Sequence, residues 1–289
     1  MSEPDGARGL SQRSALPPVG AEPVRRVRVQ HLRAAKQNGE KLTMLTAYDL
    51  PTARIFDTAG VDMLLVGDSI GDNMLGHDGT IPVTLEEMLP AVRAVSRGAK
   101  RAMVVADLPF GSYEASPQQA MSSATRMLKE GGAHAVKFEG GLRVAEHVRL
   151  LTSSGVPVVG HLGFTPQSEN ILGGKRVQGR GDAAAHQLLT DAKSLEEAGA
   201  VAVVLEMVPG DVAAHLTRDL TIPTIGIGAG PECDGQVLVW LDMAGMGGWS
   251  PRFAKQFGAV GAELDRATRS YLAEVRRGEF PGTEQTYWS

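Results

Sequence analysis

Five short apolar runs in this chain of 289 residues end on an acid or an imidazole: MLLVGDS (63–69), AMVVAD (102–107), AVKFEG (135–140), PVVGH (157–161) and AVVLE (202–206). Asp68, Asp107, Glu139, His161 and Glu206 thus stand at the tips of strand-like segments, and Asp49 does the same after KLTMLTAY. Carboxylates in a chain with one cysteine and seven histidines point to a hard, oxygen-seeking cation, Mg²⁺ first. Mg²⁺ takes one or two carboxylates and keeps other positions for water and substrate. A 2-oxo acid suits such a site, because its ketone and carboxylate oxygens chelate together, and a Lewis acid on the ketone stabilises an enolate. A solvated acidic rim is the other reading of the same residues.

Two neighbours sharpen the pattern. Lys137 and Glu139 are two apart on one run, so both point to one face while Phe138 points away. A buried lysine is costly unless paired, so Lys137 either neutralises the acids or binds a substrate carboxylate. His161 closes a buried run and reads equally as a satisfied structural histidine or as a pocket residue. An aspartate at a strand tip is often only the N-cap of the next helix, which would account for Asp49 and Asp242. Asp68 and Asp107 are set apart by the residues between each of them and the following helix.

The elements that must carry these groups alternate from Lys41 onward. KLTMLTAYD reads as a strand, followed by a helix from Pro51 to Gly60. After MLLVGD, Thr84 and Glu87 form a capping box ahead of Leu85, Met88, Leu89, Val92 and Val95 on one helical face. AMVVAD precedes a helix carrying Ala120, Ala124, Met127 and Leu128. Asp182 is expected to cap a long helix running to Ala198, and Asp211 a short one. PTIGIGAG and QVLVWLD supply strands seven and eight, and a last helix is expected over about 251–278. Continuous apolar strands are those of a parallel sheet covered on both faces. Eight strand–helix units make a closed (β/α)8 TIM barrel the economical fold, with a doubly wound open sheet as the alternative. In a barrel all strand tips meet at one mouth, which would bring the acids together.

Composition narrows the class. Apolar residues make up 43% and charged residues 21%, values typical of globular proteins. A net charge of −4 and a pI near 6.0 offer nothing to nucleic acid or an acidic membrane. The single Cys233 excludes internal disulfides and fits a reducing, cytoplasmic setting. No apolar stretch is long enough to span a bilayer. Residues 1–24, rich in Pro, Gly, Ser and Arg, are expected to be a disordered tail, leaving 25–289 as one catalytic domain. Loops 69–83 and 163–181 are candidate lids; Lys175, Arg176 and Arg180 in the second could meet an anionic cofactor tail or simply be solvated. GIGAG (226–230) and GGKRV (173–177) lack what a dinucleotide fingerprint or a P-loop requires and read as tight turns.

TAYD, VGDS, GHD, ADLPF, VKFEGG, GHLGFTPQS, GGKRVQGRG, VLEMVP and IGIGAG, in this order from about Val29 to the C-terminus, closely resemble the ketopantoate hydroxymethyltransferase family. The resemblance implies a (β/α)8 barrel, usually decameric. It implies transfer of a one-carbon hydroxymethyl unit from 5,10-methylenetetrahydrofolate to 3-methyl-2-oxobutanoate, giving 2-dehydropantoate for pantothenate synthesis through a Mg²⁺-stabilised enolate. It makes Asp68 and Asp107 the direct Mg²⁺ ligands, with Glu139 associated with the metal. Ser69 and Lys137 would hold the substrate carboxylate, His161 would line the pocket, and Glu206 would be the general base. The nearest competitor, a lyase or mutase of the phosphoenolpyruvate mutase kind, relies on a cysteine in a basic loop, and Cys233 in GPECDG lacks that setting. The other, a dead barrel kept as a scaffold, has no need of buried charge.

Overall fold

The computed structural model describes residues 25–289; the expected tail at 1–24 lies outside the described residues. Eight parallel strands close into a barrel in chain order: β1 (Leu42–Thr46), β2 (Met63–Val66), β3 (Met103–Asp107), β4 (Ala135–Glu139), β5 (Val158–Gly163), β6 (Ala202–Glu206), β7 (Thr224–Ile227) and β8 (Gly235–Leu238), with β8 pairing back onto β1. The closed barrel, not the open sheet, is the answer to the alternation seen in sequence. Among the described residues no helix is long and apolar enough to cross a membrane.

Helix α1 (Val29–Asn38) precedes the barrel, and its Leu32 and Ala35 join the apolar side chains that fill the lumen. Then come α2 (Leu50–Ala59), α3 (Leu85–Gly98), α4 (Pro117–Lys129), α5 (Ala145–Ser153), the single turn α6 (Glu169–Leu172), α7 (Asp182–Glu197), α8 (Gly210–Asp219), the short α9 (Trp240–Ala244) and α10 (Val260–Arg277). Two apolar layers result. Met44, Met63, Leu65, Met103, Val105, Val159, Val204 and Ile225 pack inside, while the outward residues of the strands meet the helices. The alternation is the period of two of a strand, here with both faces apolar.

Local signals held where a side chain supplies the bond. Asp49 accepts from the Thr52 amide at 2.8 Å and starts α2. The Thr84–Glu87 capping box starts α3, and Met88, Leu89, Val92 and Val95 are buried on its inner face. They failed where backbone set the boundary. Asp182 is the first residue of α7 rather than its cap, which is Gly181 at a φ of 82°. Asp211 lies inside α8, capped by Pro209, and Asp242 lies inside α9. In the first turn these carboxylates still face the positive end of the helix, which explains their placement without a capping bond. Strand eight stops at Leu238 because the Trp240 amide turns to the Thr46 hydroxyl at 3.0 Å. The last helix starts at Val260, not near 251, since 251–258 folds back so that the Phe257 amide bonds to the Met243 carbonyl.

Candidate active site

Period two along each strand carries the apolar lumen upward into a polar cap. Val105 is followed by Asp107, Ala135 by Lys137 and Glu139, Val159 by His161, and Val204 by Glu206. Asp68 lies two residues past the end of β2. Register sets the partners: Asp107 lies opposite Lys137, and Glu139 opposite His161. Phe138 points the other way and packs in the outer layer, its ring 5.1 Å from that of Tyr113. Past β6 the chain turns sharply at Met207, a non-glycine residue at a φ of 49°. Beside it, Gly163 has no room for a side chain, because a Cβ there would collide with the Glu206 carbonyl.

The side chains form one connected series. Lys137 Nζ lies 2.8 Å from Asp107 Oδ1 and 3.4 Å from His161 Nδ1. His161 Nδ1 is 3.4 Å from Glu139 Oε1, and its Nε2 is 3.2 Å from Glu206 Oε2. Asp107 Oδ2 accepts from the Asp68 amide at 3.0 Å. Ser69, half-buried, meets the Tyr48 hydroxyl at 2.8 Å, with Gly67 leaving the space that Ser69 Oγ needs. All six residues expected at the mouth (Asp68, Asp107, Lys137, Glu139, His161, Glu206) are therefore brought together, with Ser69 beside them. Asp49 is not among them, being spent on its cap. A π-helical turn (Gly71–Leu75) begins within three residues of Asp68, so distance from a helix does not distinguish this aspartate. What does is its side chain, which accepts from Gln167 rather than from that turn.

Electrostatics follow from burial. Asp68, Asp107, Lys137, Glu139 and His161 are each at most 5% exposed. Burial, then the neighbouring Asp107 charge, pushes Asp68 up to about 7. Burial also raises Asp107 against the pull of Lys137, and raises Glu139 against His161. For His161, burial and the Lys137 charge press downward, but the carboxylates of Glu139 and Glu206 prevail and hold it up at about 9. Lys137 is likewise disfavoured by burial yet raised on balance by Asp107, Asp68 and Glu139. The ring is thus an imidazolium and an ammonium among four carboxylates. Fully ionised, four negative charges against two positive leave two uncompensated.

Two uncompensated negative charges are what a bound divalent cation would neutralise. Asp107 Oδ1 is buried and, despite its ion pair, has no hydrogen bond of acceptable geometry. The donors are hard oxygens, which suits Mg²⁺. Among the described residues no three His, Cys, Asp or Glu side chains stand together at metal-cluster spacing. Glu139 is engaged by His161 and by the Gln167 amide, Asp68 by the Gln167 side chain, and Asp107 by Lys137 and the Asp68 amide.

Gln167 and Tyr113 were not legible as site residues. Both are buried, and the Tyr113 hydroxyl lies 2.7 Å from Gln167 Oε1. Gln167 sits within GHLGFTPQS, one of the motifs that carry the family resemblance. The second loop is partly ordered by a 3₁₀ turn (Pro166–Ser168) and α6. Lys175, Arg176 and Arg180 are exposed on it and make no ion pair among the described residues. Cys233 is buried just before β8, at the end of the barrel away from the mouth, which removes it from the chemistry of a lyase.

Solved structures share the architecture. A phosphonopyruvate hydrolase, described in complex with oxalate and Mg²⁺, aligns with a TM-score of 0.58 at 14% identity, covering 90% of this chain and 91% of its own. A 2,3-dimethylmalate lyase aligns at 0.54 with 17% identity, covering 90% and 91%. At such identities the likeness is one of fold alone. Sequence relatives are far nearer. The 3-methyl-2-oxobutanoate hydroxymethyltransferase of Saccharopolyspora erythraea is 60% identical over 272 residues, 93% of this chain and 92% of the relative. That of Mycobacterium tuberculosis is 58% identical over 271 residues, 93% and 96% of the two chains. The model of the ketopantoate hydroxymethyltransferase family matches residues 26–283, and with relatives this close across nearly its whole length, the chain belongs to that family.

Proposed function

We propose that this protein is a Mg²⁺-dependent 3-methyl-2-oxobutanoate hydroxymethyltransferase. It takes the one-carbon unit of 5,10-methylenetetrahydrofolate and forms 2-dehydropantoate, a step of pantothenate synthesis. Membership of the family and the names of relatives near 60% identity support the activity. The observation that carries the mechanism is a division among the acids. Asp107 is shut in against Lys137, with side chains 3% and 5% exposed, whereas the Glu206 side chain is 18% exposed on the far side of His161.

Asp68 and Asp107 would hold Mg²⁺ with Glu139 behind them, and the ion when bound supplies Lewis-acid polarisation of the 2-oxo group, which makes the adjacent C3–H more acidic. Ser69 and Lys137 anchor the substrate carboxylate. Glu206 takes the C3 proton, and the electron pair of that bond passes into the enolate. The enolate carbon bonds to the methylene carbon of the folate as one of the two C–N bonds of that carbon breaks, and the freed nitrogen takes up the proton removed from C3. Water then supplies the hydroxyl that replaces the second folate nitrogen on this carbon, and the proton released by the water goes to that nitrogen. His161, held as an imidazolium between Glu139 and Glu206, keeps the two carboxylates apart and Glu206 aimed inward. The purified protein with 3-methyl-2-oxobutanoate and 5,10-methylenetetrahydrofolate should yield 2-dehydropantoate and tetrahydrofolate in equal amounts. No product with Mg²⁺ present refutes the assignment.

A further inference from the structure

One carboxamide joins the mouth of the barrel to the loop that follows β5. Gln167 Nε2 donates to Asp68 Oδ2 at 2.7 Å and to the Leu108 carbonyl at 3.1 Å. Its Oε1 faces the Tyr113 hydroxyl at 2.7 Å, and its backbone amide donates to Glu139 Oε2 at 3.1 Å. The orientation of the amide is dictated by these partners. A carboxylate and a carbonyl only accept, so the NH₂ end must face them, and the hydroxyl is left to donate to the oxygen. The Tyr113 hydroxyl is itself pinned, accepting from the Glu139 amide at 3.2 Å.

The loop has little else to hold it. Between Phe164, whose amide bonds to the Glu206 carbonyl, and Gln178, whose amide bonds to the Met207 carbonyl, the hydrogen bonds that leave the segment among the described residues belong to Gln167, apart from the Arg176 carbonyl, which accepts from the adjoining Gln178 side chain at 3.1 Å. Ser168 and Gly174 bond only within it, and Ile171 is 87% exposed. The loop therefore cannot lift without releasing Asp68 and Glu139, and Asp68 cannot turn without giving up one of the bonds that hold the loop.

We propose that Gln167 is a positioning residue that sets the Asp68 carboxylate and latches the loop after β5 to it, so that binding of a divalent cation at Asp68 and ordering of residues 165–177 are one linked equilibrium. The linkage rests on the cation reading given above. Its reciprocity is thermodynamic: whatever the ordered loop adds to cation affinity, the cation adds to loop order. Partners that orient a metal-binding carboxylate commonly control affinity by 10–100-fold when removed.

The test uses the full-length protein, Gln167→Met, which keeps length and apolar volume but removes both donors and the acceptor, and Tyr113→Phe, which removes the hydroxyl that holds the amide oxygen. Three quantities are read: Mg²⁺ affinity by calorimetry, hydrogen exchange of residues 165–177 with and without Mg²⁺, and the urea midpoint. Q167M should bind Mg²⁺ about 10–100-fold more weakly. Its loop should exchange faster than wild type without metal, and Mg²⁺ should slow that exchange in wild type only. Y113F should shift affinity the same way by less. A lowered midpoint with wild-type affinity and wild-type loop exchange would make Gln167 merely structural and overturn the proposal. Should Q167M fail to fold, Y113F decides alone, and unchanged affinity there overturns it. If wild type binds no Mg²⁺, the cation reading and the linkage both fall, and metal-free loop exchange then judges the latch separately.

Discussion

Replacing Glu206 by Gln isolates the proton abstraction from everything else at the mouth. The side chain keeps its shape, and it touches neither the Asp107–Lys137 ion pair nor the Asp68 contact with Gln167. Cation and substrate binding should therefore survive. Loss of a positioned base typically costs 10²–10⁴ in rate, about 2.7–5.5 kcal/mol of barrel-mouth transition-state stabilisation. A second effect follows from the 3.2 Å approach of Glu206 Oε2 to His161 Nε2. Glu206 is one of the two carboxylates that hold His161 up at about 9, so a neutral amide there should lower the imidazole pKa. The assay is exchange of the C3 hydrogen of 3-methyl-2-oxobutanoate with D₂O, followed by NMR with enzyme and Mg²⁺ but no folate. Wild type should exchange measurably, and the Gln variant should approach the uncatalysed rate while still binding substrate. Exchange at the wild-type rate would show that Glu206 is not the base, and Glu139 or His161 would inherit the role.

Asp107→Ala should abolish Mg²⁺ binding and turnover and leave Lys137 buried without its partner, a loss of about 3–5 kcal/mol in urea unfolding; full activity after exhaustive chelation of the wild type would contradict the metal assignment. His134, half-buried beside Arg26 and Arg28, is held down at about 4, first by burial and then by those charges, while its Nδ1 accepts from the Val104 amide at 2.9 Å. A folded pKa below the unfolded value near 6.5 means that the unfolded chain binds the proton more tightly, so this contribution to stability is present above about pH 6.5 and lost as pH falls toward 4. The stability difference between wild type and His134→Asn should shrink over that window, and a difference independent of pH would refute the account. Helix α10 buries no residue and exposes Val260, Leu264, Leu272 and Val275, so a homo-oligomer, a decamer on the family's pattern, is expected. Light scattering should give a mass well above 30.6 kDa, reduced by Leu264→Asp with Leu272→Asp, and a monomer at micromolar concentration would refute it.

Period and residue type already contained the barrel and the composition of its mouth. Strands buried on both faces must be apolar at consecutive positions, so a charge at the end of such a run is conspicuous, and Lys137 and Glu139 at a spacing of two had to share the lumen face. Asp49 and Thr84 could be read as caps because a side chain makes the bond. Asp182 and Asp211 could not be placed to the residue, since backbone conformation at Gly181 and Pro209 decides where those helices begin. Register was the next thing withheld. That Asp107 meets Lys137 and Glu139 meets His161 depends on how adjacent strands slide past one another, which no local pattern records. Gln167 was hidden most completely. A glutamine in a loop carries no signal in sequence, and its contact with Asp68 exists only because the chain returns it to an aspartate 99 positions away. Local periodicity reports what one segment must bury, whereas a buried polar network is a property of several segments meeting, and only the closed barrel brings them to the same place.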